Sequence, residues 1–312
     1  MPSSQDKLLP LPVICGPTAV GKTALSLDLA EKFNGEIVSA DSRQVYRLMD
    51  VGTAKATAEE QKRVPHHLLD VAWPDEDFHA AKYVELADCA IRDIFKRGKR
   101  PFLVGGTGLY IKALTEGLLD APGADPGLRK QLHDRAEQEG SSVLHDELKT
   151  VDPQSAEKLH PNDLVRIVRA LEVFYQSGRP LSAMQKEHGF GAENYRTVKI
   201  GLECERELLY ERIERRSELM FEQGLLEEAE QILRAGYDPK LKILQTIGYR
   251  QAFAIMNGEM SREQALESLK RATRRYAKQQ LTWFRKDKSI IWLESSADFD
   301  RIQKLIEDFY VI

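Results

Sequence analysis

The chain has 312 residues, of which 42% are hydrophobic and 30% charged, and its formal net charge is −4. These values predict a soluble globular protein with one large or two smaller domains, and they argue against a protein that is basic overall. No apolar run reaches the length of a membrane span, and Met1–Lys7 lacks the pattern of a signal peptide. The cysteines Cys15, Cys89 and Cys204 are too widely spaced to indicate a disulfide framework or a zinc site. We therefore expect a cytoplasmic protein with no membrane contact.

A phosphate-binding motif lies near the start of the sequence. The apolar run Leu11–Cys15 predicts a buried strand, and Ala24–Phe33 carries apolar residues at helical spacing. Between them GPTAVGKT fits GxxxxGK[ST], so strand, loop and helix occur in the order that a P-loop requires. Lys22 would supply a positive charge and Thr23 would bind Mg²⁺ beside the phosphate oxygens. The predicted phosphate-binding residues are Gly16, Pro17, Thr18, Ala19, Val20, Gly21, Lys22 and Thr23.

Two further predicted strands end near the crevice that the P-loop is expected to face. Asp41 follows the strand Glu36–Ala40 directly, and Pro101–Val104 leads into the glycine-rich GGTG segment that contains Thr107. Ligands of open α/β sheets bind beyond the carboxyl ends of the strands, so Asp41 is expected beside the P-loop. The alternative is that Asp41 only caps the following helix. A third short strand is predicted at Pro65–Val71.

A change of composition marks the middle of the chain. The segment Ala121–Gly127 is rich in proline and glycine and indicates a domain junction. Beyond it the pattern is mostly helical, and Asn162–Gln176 is the clearest helix. Arg166 and Arg169 lie on the face opposite its apolar stripe, where an ordinary solvated surface is the alternative to a functional role. A return linker is predicted at Gly189–Asn194.

The C-terminal part combines a predicted strand with charged helices. Thr197–Cys204 alternates like a strand that could rejoin the first sheet, and Arg206–Arg234 is strongly helical in pattern. Residues 261–288 contain nine Lys or Arg and three Asp or Glu, a local net charge of +6. This charge predicts a contact with a phosphate backbone, and salt bridges to the acidic helix at 205–230 are the alternative. The basic stripe consists of Arg271, Arg274, Arg275 and Lys278.

These elements predict an α/β fold in which a P-loop NTPase-like parallel sheet is flanked by helices and interrupted by a helical insertion domain. We expect residues 1–118 to form the first part of the core and residues 119–195 to form the insertion. Residues 196–312 should return to the core and supply the basic helices.

Eight motifs, in chain order, resemble those of bacterial tRNA dimethylallyltransferases. They are GPTAVGKT, SADSRQVY, DVGTAK, VPHHLLD, VGGTGLY, PNDLVRIVRALEV, QTIGYRQ and KRATRRYAKQQLTWFRK. The resemblance implies transfer of a dimethylallyl group from its diphosphate to the exocyclic amine of the adenosine 3′ of the anticodon, giving N6-dimethylallyladenosine. It implies Mg²⁺ as the cofactor and a tRNA anticodon stem-loop as the partner of the insertion domain. We expect a monomer. The eukaryotic relatives carry a C-terminal zinc finger, which this sequence does not contain, so the bacterial type is expected.

The resemblance also implies roles for single residues. Asp41 matches the general base, and Arg166 and Arg216 match arginines of the active region. Thr107 and Arg129 match positions that contact tRNA. The expected catalytic residues are Asp41, Lys22 and Arg216. The expected tRNA contacts are Asp41, Ser42, Arg43, Gln44, Thr107, Arg129, Val165, Arg166, Ile167, Val168, Arg169, Arg250, Arg271, Arg274, Arg275 and Lys278.

Three other functions share part of this pattern. A P-loop kinase for a small molecule or nucleotide would share the strand, the loop and an Asp after the second strand, but it would not need the basic C-terminal helix. A nucleotide-dependent RNA-binding switch should carry a DxxG-like segment, which is not convincingly present. An adenylate isopentenyltransferase would act on free nucleotide, against which the helical insertion and the basic stripe argue.

Overall fold

Six parallel strands form the central sheet of the computed structural model, which describes residues 8–189 and 194–311. The strand order is β3-β2-β4-β1-β5-β6, with helices between successive strands, which confirms the predicted α/β architecture. The strands are β1 Pro10–Cys15, β2 Gly35–Ser39, β3 His66–His67, β4 Arg100–Gly105, β5 Arg196–Leu202 and β6 Ile290–Leu293. The predictions for Met1–Lys7, and those for the linker at 190–193, lie outside the described residues.

The inner strands are buried because helices cover both faces of the sheet. Val13 in β1 pairs with Leu103 in β4, and Ile37 in β2 pairs with Phe102. All four side chains are at most 2% exposed, which is typical of parallel strands that read as continuous apolar runs. The third strand is shorter than predicted. Leu68 follows it with a φ of 65°, a left-handed conformation that cannot continue a strand.

The helices agree with the predicted pattern in most places. The prediction that Arg206–Arg234 is strongly helical is confirmed, and a turn at Gly224 divides this region into α10 and α11. The helices are α1 Lys22–Lys32, α2 Ala58–Arg63, α3 Ala80–Lys96, α4 Gly108–Glu116, α5 Pro126–Glu139, α6 Ser141–Val151, α7 Pro153–Lys158, α8 Leu164–Ser177, α9 Leu181–His188, α10 Arg206–Glu222, α11 Leu225–Arg234, α12 Tyr249–Met256, α13 Arg262–Phe284 and α14 Phe299–Val311. Among the described residues, no helix is long and apolar enough to cross a bilayer.

The chain divides into two compact units. The described residues within Met1–Thr115 and Asn194–Ile312 form the sheet unit, and those within Glu116–Glu193 form the helical unit. The helical unit has its own apolar core, to which Leu144, Leu148 and Leu171 belong. Its bounds lie within three residues of the expected insertion at 119–195.

A buried lysine and a carboxylate from α11 shape the loop that follows β2 in the sheet unit. The Lys55 side chain is 3% exposed, and its ammonium group lies 2.5 Å from Asp50 and 2.6 Å from Asp70. This pairing ties the DVGTAK motif to the HHLLD motif. The Glu228 carboxylate of α11 accepts hydrogen bonds from three consecutive backbone N–H groups, those of residues 50–52. Both contacts fix the backbone that leads to Thr53 in the cavity described below.

Candidate functional site

The loop Gly16–Thr23, called the glycine loop from here on, connects β1 to α1. Gly21 precedes the first turn of α1 with a φ of 107°, a conformation that glycine adopts without strain. The Lys22 ammonium folds back over the loop and donates to the carbonyl oxygens of Gly16 (3.0 Å) and Pro17 (2.7 Å). The loop thus brings a cation and the N-terminus of an 11-residue helix to one point, which is an arrangement suited to phosphate groups.

A cavity of about 300 Å³ opens beside this loop in the sheet unit. Its lining joins residues from every sequence region that was predicted to face the crevice. Lys22 and Thr23 come from the glycine loop, Asp41 follows β2, Gly106 follows β4, and Arg216 comes from α10. The structure therefore places the three expected catalytic residues, Asp41, Lys22 and Arg216, around one space.

The cavity is electropositive on the side of the glycine loop. Burial is the main cause that lowers the pKa of Lys22 to about 8, and the nearby Arg216 lowers it further, while Asp41 opposes the shift. Burial likewise lowers the pKa of Arg216, again opposed by Asp41. Two cations that are both destabilised by burial gain free energy when an anion enters between them. The site is therefore suited to a ligand with several negative charges.

Asp41 faces the same cavity from the end of β2. Its Oδ1 atom accepts hydrogen bonds from the backbone N–H groups of Arg43 (2.8 Å) and Gln44 (3.3 Å). Among the described residues no donor is bonded to Oδ2, so that oxygen can accept a proton. The alternative, that Asp41 only caps the following helix, is wrong, because residues 42–45 form a turn and the next helix is α2. The bonds to Oδ1 organise that turn and occupy one of the two carboxylate oxygens.

Thr107 holds the turn that carries Asp41. Its backbone N–H donates to the Ala40 carbonyl (3.0 Å), and its Oγ1 accepts from the backbone N–H of Ser42 (3.0 Å). These bonds connect the ends of β4 and β2. Thr107 was expected to contact tRNA, and the structure shows that it also fixes the backbone on both sides of Asp41.

Gln280 is a site residue that the sequence reasoning missed. This α13 side chain is 6% exposed and bridges the two loops of the site. Its Oε1 accepts from the Thr18 N–H (2.9 Å), and its Nε2 donates to the Gly106 carbonyl (2.9 Å). A Cβ at position 106 would lie 2.3 Å from Nε2, so a larger residue there would displace the Gln280 amide from its bond to the Gly106 carbonyl. A signal existed in the sequence, since Gln280 is a polar residue on the otherwise packed face of α13.

We expect Gln280→Met to weaken binding of inorganic diphosphate about tenfold, because two hydrogen bonds that shape the glycine loop are lost. Calorimetric titration of the wild type and the variant measures the change. Gln279→Met is the matched control, because its side chain is exposed on the same helix. Equal affinities in all three proteins would contradict a positioning role for Gln280.

Arg43 and Tyr276 form a second part of the cavity wall. The Arg43 guanidinium lies 5.4 Å from the centre of the Tyr276 ring, within cation–π distance. Its Nη1 atom is buried and has no hydrogen-bond partner among the described residues. A buried donor without a partner is costly, so a ligand that accepts a hydrogen bond here is favoured.

The basic stripe on α13 is only partly free. Arg271, Arg275 and Lys278 are exposed, but Arg274 lies 2.7 Å from Glu214 of α10. The alternative, a salt bridge to the acidic helix, is thus realised at Arg274, so we expect this residue to contribute less to RNA binding than its exposed neighbours. Arg250, near the start of α12, is exposed.

In the helical unit, the predicted RNA segment at 165–169 splits into exposed and buried side chains. Val165 is 73% exposed, and the Arg166 side chain is 72% exposed and paired with Asp163 at 2.8 Å. Ile167 and Val168 are at most 2% exposed. Their side chains belong to the core of the helical unit, so the expected RNA contact at these two positions would use the backbone, and it stays a prediction.

Arg129 and Arg169 share a buried carboxylate. Glu172 is 0% exposed, and it accepts from Arg129 Nε at 2.8 Å and from Arg169 Nη1 at 2.5 Å. Arg169 also donates to the Pro122 carbonyl (2.8 Å). Both arginines compensate a buried charge, so neither forms an ordinary solvated surface. Their guanidinium groups remain partly exposed.

Known protein families and relatives match most of this chain. A family model described as IPP transferase matches residues 44–287, and one described as isopentenyl transferase matches residues 10–73. The tRNA dimethylallyltransferase of Geobacter metallireducens is 54% identical over 300 residues, covering 96% of this chain and 97% of that protein. The homologue of Geobacter sulfurreducens is 52% identical over 98% of each chain.

Solved structures agree with the sequence comparisons. The tRNA isopentenylpyrophosphate transferase of Bacillus halodurans is 41% identical, covers 96% of each chain and superposes with a TM-score of 0.71. A eukaryotic dimethylallyltransferase described as acting on tRNA is 29% identical, with a TM-score of 0.81 over 97% of this chain and 79% of that chain. These similarities do not favour the kinase alternative. With a matching family model over most of its length and relatives above 50% identity, the chain belongs to the tRNA dimethylallyltransferase family.

Proposed function

We propose that the protein transfers a dimethylallyl group from dimethylallyl diphosphate to the exocyclic amine of the adenosine 3′ of the anticodon in tRNA. The observation that carries the proposal is a single cavity in which Lys22 and Arg216 face the carboxylate of Asp41. The cations are suited to bind a diphosphate, and the carboxylate is suited to accept a proton from the adenosine amine. Membership in the family supports both assignments.

These residues can stabilise the leaving group and accept the proton that the reaction releases. The amine nitrogen forms a bond to the first carbon of the dimethylallyl group while the carbon–oxygen bond to diphosphate breaks. The bonding electrons leave with the diphosphate, whose growing charge is stabilised by Lys22, Arg216 and the N–H groups of the glycine loop. The amine loses one proton, which the free Oδ2 of Asp41 accepts. An adenine amine is a weak nucleophile because its lone pair is delocalised into the ring. Removal of its proton by Asp41 should therefore speed the formation of the new bond.

The residues at the start of α1 fit a bound Mg²⁺. Thr23 lines the cavity beside Asp41, whereas no group of three or more His, Cys, Asp or Glu side chains among the described residues could hold a metal by itself. Mg²⁺ commonly takes one or two protein ligands and completes its shell with phosphate oxygens and water. When bound with the donor by the Thr23 hydroxyl, the ion would offset charge on the diphosphate.

The acceptor reaches the cavity only as an unstacked base. A base inside the anticodon-loop stack is shielded from the cavity, so the adenosine must leave the stack, as in other enzymes that modify bases. Arg43, with its unpartnered buried Nη1, and Tyr276 lie where an inserted base could be bonded and stacked. The acceptor tRNA supports action in the cytoplasm, and we propose that the enzyme acts as a monomer.

A direct assay tests the proposal. The protein is incubated with labelled dimethylallyl diphosphate, Mg²⁺ and tRNA that lacks the modification, and the tRNA is digested to nucleosides. We expect labelled N6-dimethylallyladenosine, whose formation stops when Mg²⁺ is chelated. If no tRNA yields prenylated adenosine, the proposal is wrong.

The exposed cations of α13 should hold the RNA backbone. We expect the triple variant Arg271→Ala, Arg275→Ala, Lys278→Ala to weaken tRNA binding and to flatten the dependence of log affinity on log salt. The slope should fall by about one unit for each lost phosphate contact. Filter binding across a salt series measures it.

The control for this experiment is Arg274→Ala, which removes a charge from the same helix that is already paired with Glu214. Its slope should stay close to that of the wild type. Arg166→Ala tests the helical unit in the same way. A wild-type slope and affinity in the triple variant would show that these α13 residues are merely solvated.

A further inference from the structure

We propose that Met220 and Leu269 close one end of the cavity and thereby limit the transferred group to about five carbons. The inference rests on the proposed function, because it concerns the length of the prenyl chain on the donor. It assigns a role in specificity to two apolar residues of α10 and α13 that take no part in the chemistry.

The helices α10 and α13 run antiparallel along the cavity. Arg274 pairs with Glu214 at 2.7 Å, and Lys270 pairs with Glu218 at 2.8 Å. Residue numbers therefore increase along one helix in the direction in which they decrease along the other. The glycine loop lies at one end of this pair. There Arg212 of α10 donates to the Val20 carbonyl (3.2 Å), and Gln280 of α13 accepts from Thr18.

The end of the cavity that lies farthest from the glycine loop along the two helices is apolar. On α13 the cavity contacts Gln280, Tyr276 and Thr273 before it reaches Leu269. On α10 it contacts Ile213, Arg216 and Ser217 before it reaches Met220, one turn beyond Arg216. A diphosphate held by the glycine loop therefore has an apolar region ahead of it, where a hydrocarbon chain gains by burial.

The apolar end is closed by a packed cluster. Met220 is 9% exposed and Leu269 1% exposed, and both belong to one hydrophobic core cluster with Phe221, Leu225 and Tyr249. Side chains in such a cluster leave little space for additional atoms, and forcing a larger group into them is destabilising. A chain that reaches Met220 therefore cannot extend further.

The spacing of Arg216 and Met220 along α10 is comparable with the length of one prenyl unit. Met220 follows Arg216 by four residues, which corresponds to about 6 Å along a helix axis at roughly 1.5 Å per residue. A dimethylallyl group extends about 4 Å from its reactive carbon, given carbon–carbon bonds of about 1.5 Å. A ten-carbon geranyl group would extend roughly twice as far and would meet the Met220 side chain.

The test compares two donors in the same assay. The ratio of kcat/KM for geranyl diphosphate to kcat/KM for dimethylallyl diphosphate is measured with unmodified tRNA. We expect Met220→Ala to raise this ratio at least tenfold, since a few methylene groups at a pocket wall change discrimination by about this much or more. Met220→Val, which removes less volume, should raise the ratio less and serves if the alanine variant does not fold.

Two controls complete the design. Leu219→Ala alters a neighbouring side chain that is 38% exposed and should keep the wild-type ratio. Ile37→Val alters an apolar residue in the β2 part of the lining and should also keep it. A wild-type ratio in folded Met220 variants, or a rise in Ile37→Val instead, would overturn the inference. A wild-type protein that uses neither donor would contradict the proposed function itself, and the inference with it.

Discussion

Asp41→Asn should slow dimethylallyl transfer by about 10²- to 10⁴-fold, the usual contribution of a general base, while donor binding stays close to that of the wild type. Asparagine keeps an oxygen that can accept from the N–H groups of Arg43 and Gln44, so the local turn should persist. What is lost is the second oxygen as a proton acceptor. Single-turnover rates, with donor affinity measured separately, distinguish the two roles.

The matched control for Asp41 is Thr107→Ser, which retains the hydroxyl that bonds to Ser42. This variant should keep most of the activity because the turn remains connected. Near-normal turnover in Asp41→Asn would show that the carboxylate only organises the backbone. A loss of donor binding in that variant would instead indicate that Asp41 holds the diphosphate side of the site.

Lys22→Met should lower kcat/KM for the donor by about 10²- to 10³-fold, the range seen when one group that stabilises a developing anion is removed. The ammonium group bonds the glycine loop in the free protein, and it is close enough to the loop to contact a bound diphosphate in both the ground and transition states. Both donor binding and turnover should therefore suffer, in contrast to Asp41→Asn. Steady-state kinetics with varied donor concentration measures the change.

Lys304→Met on helix α14 provides the control for Lys22, because that lysine is exposed and does not line the cavity. It should keep wild-type kinetics. Affinity for tRNA should be unchanged in Lys22→Met, since the exposed cations of α13 lie on a separate surface. A donor KM and kcat equal to those of the wild type would mean that Lys22 does not contact the diphosphate.

The sequence by itself determined the elements whose signals are local. The strand, glycine loop and helix at 11–33 are contiguous, and the rule that ligands bind at the carboxyl ends of parallel strands placed Asp41 beside the loop. Helical spacing also identified the apolar stripe that ends before Gly178. These features depend on neighbours within a few residues, so periodicity and motif spacing are enough to predict them.

The tertiary structure decided which face of each helix is buried and what it contacts. Thr18 and Gln280 are 262 residues apart, and no local pattern relates them. The same spacing that placed Arg274 in a basic stripe could not show that Glu214 lies opposite it. Side-chain roles at such positions depend on long-range packing, which gathers residues that are distant in sequence into shared cores and a shared cavity. For this reason the glycine loop and the general-base candidate could be read from the sequence, whereas the closed apolar end at Met220 became visible only in the fold.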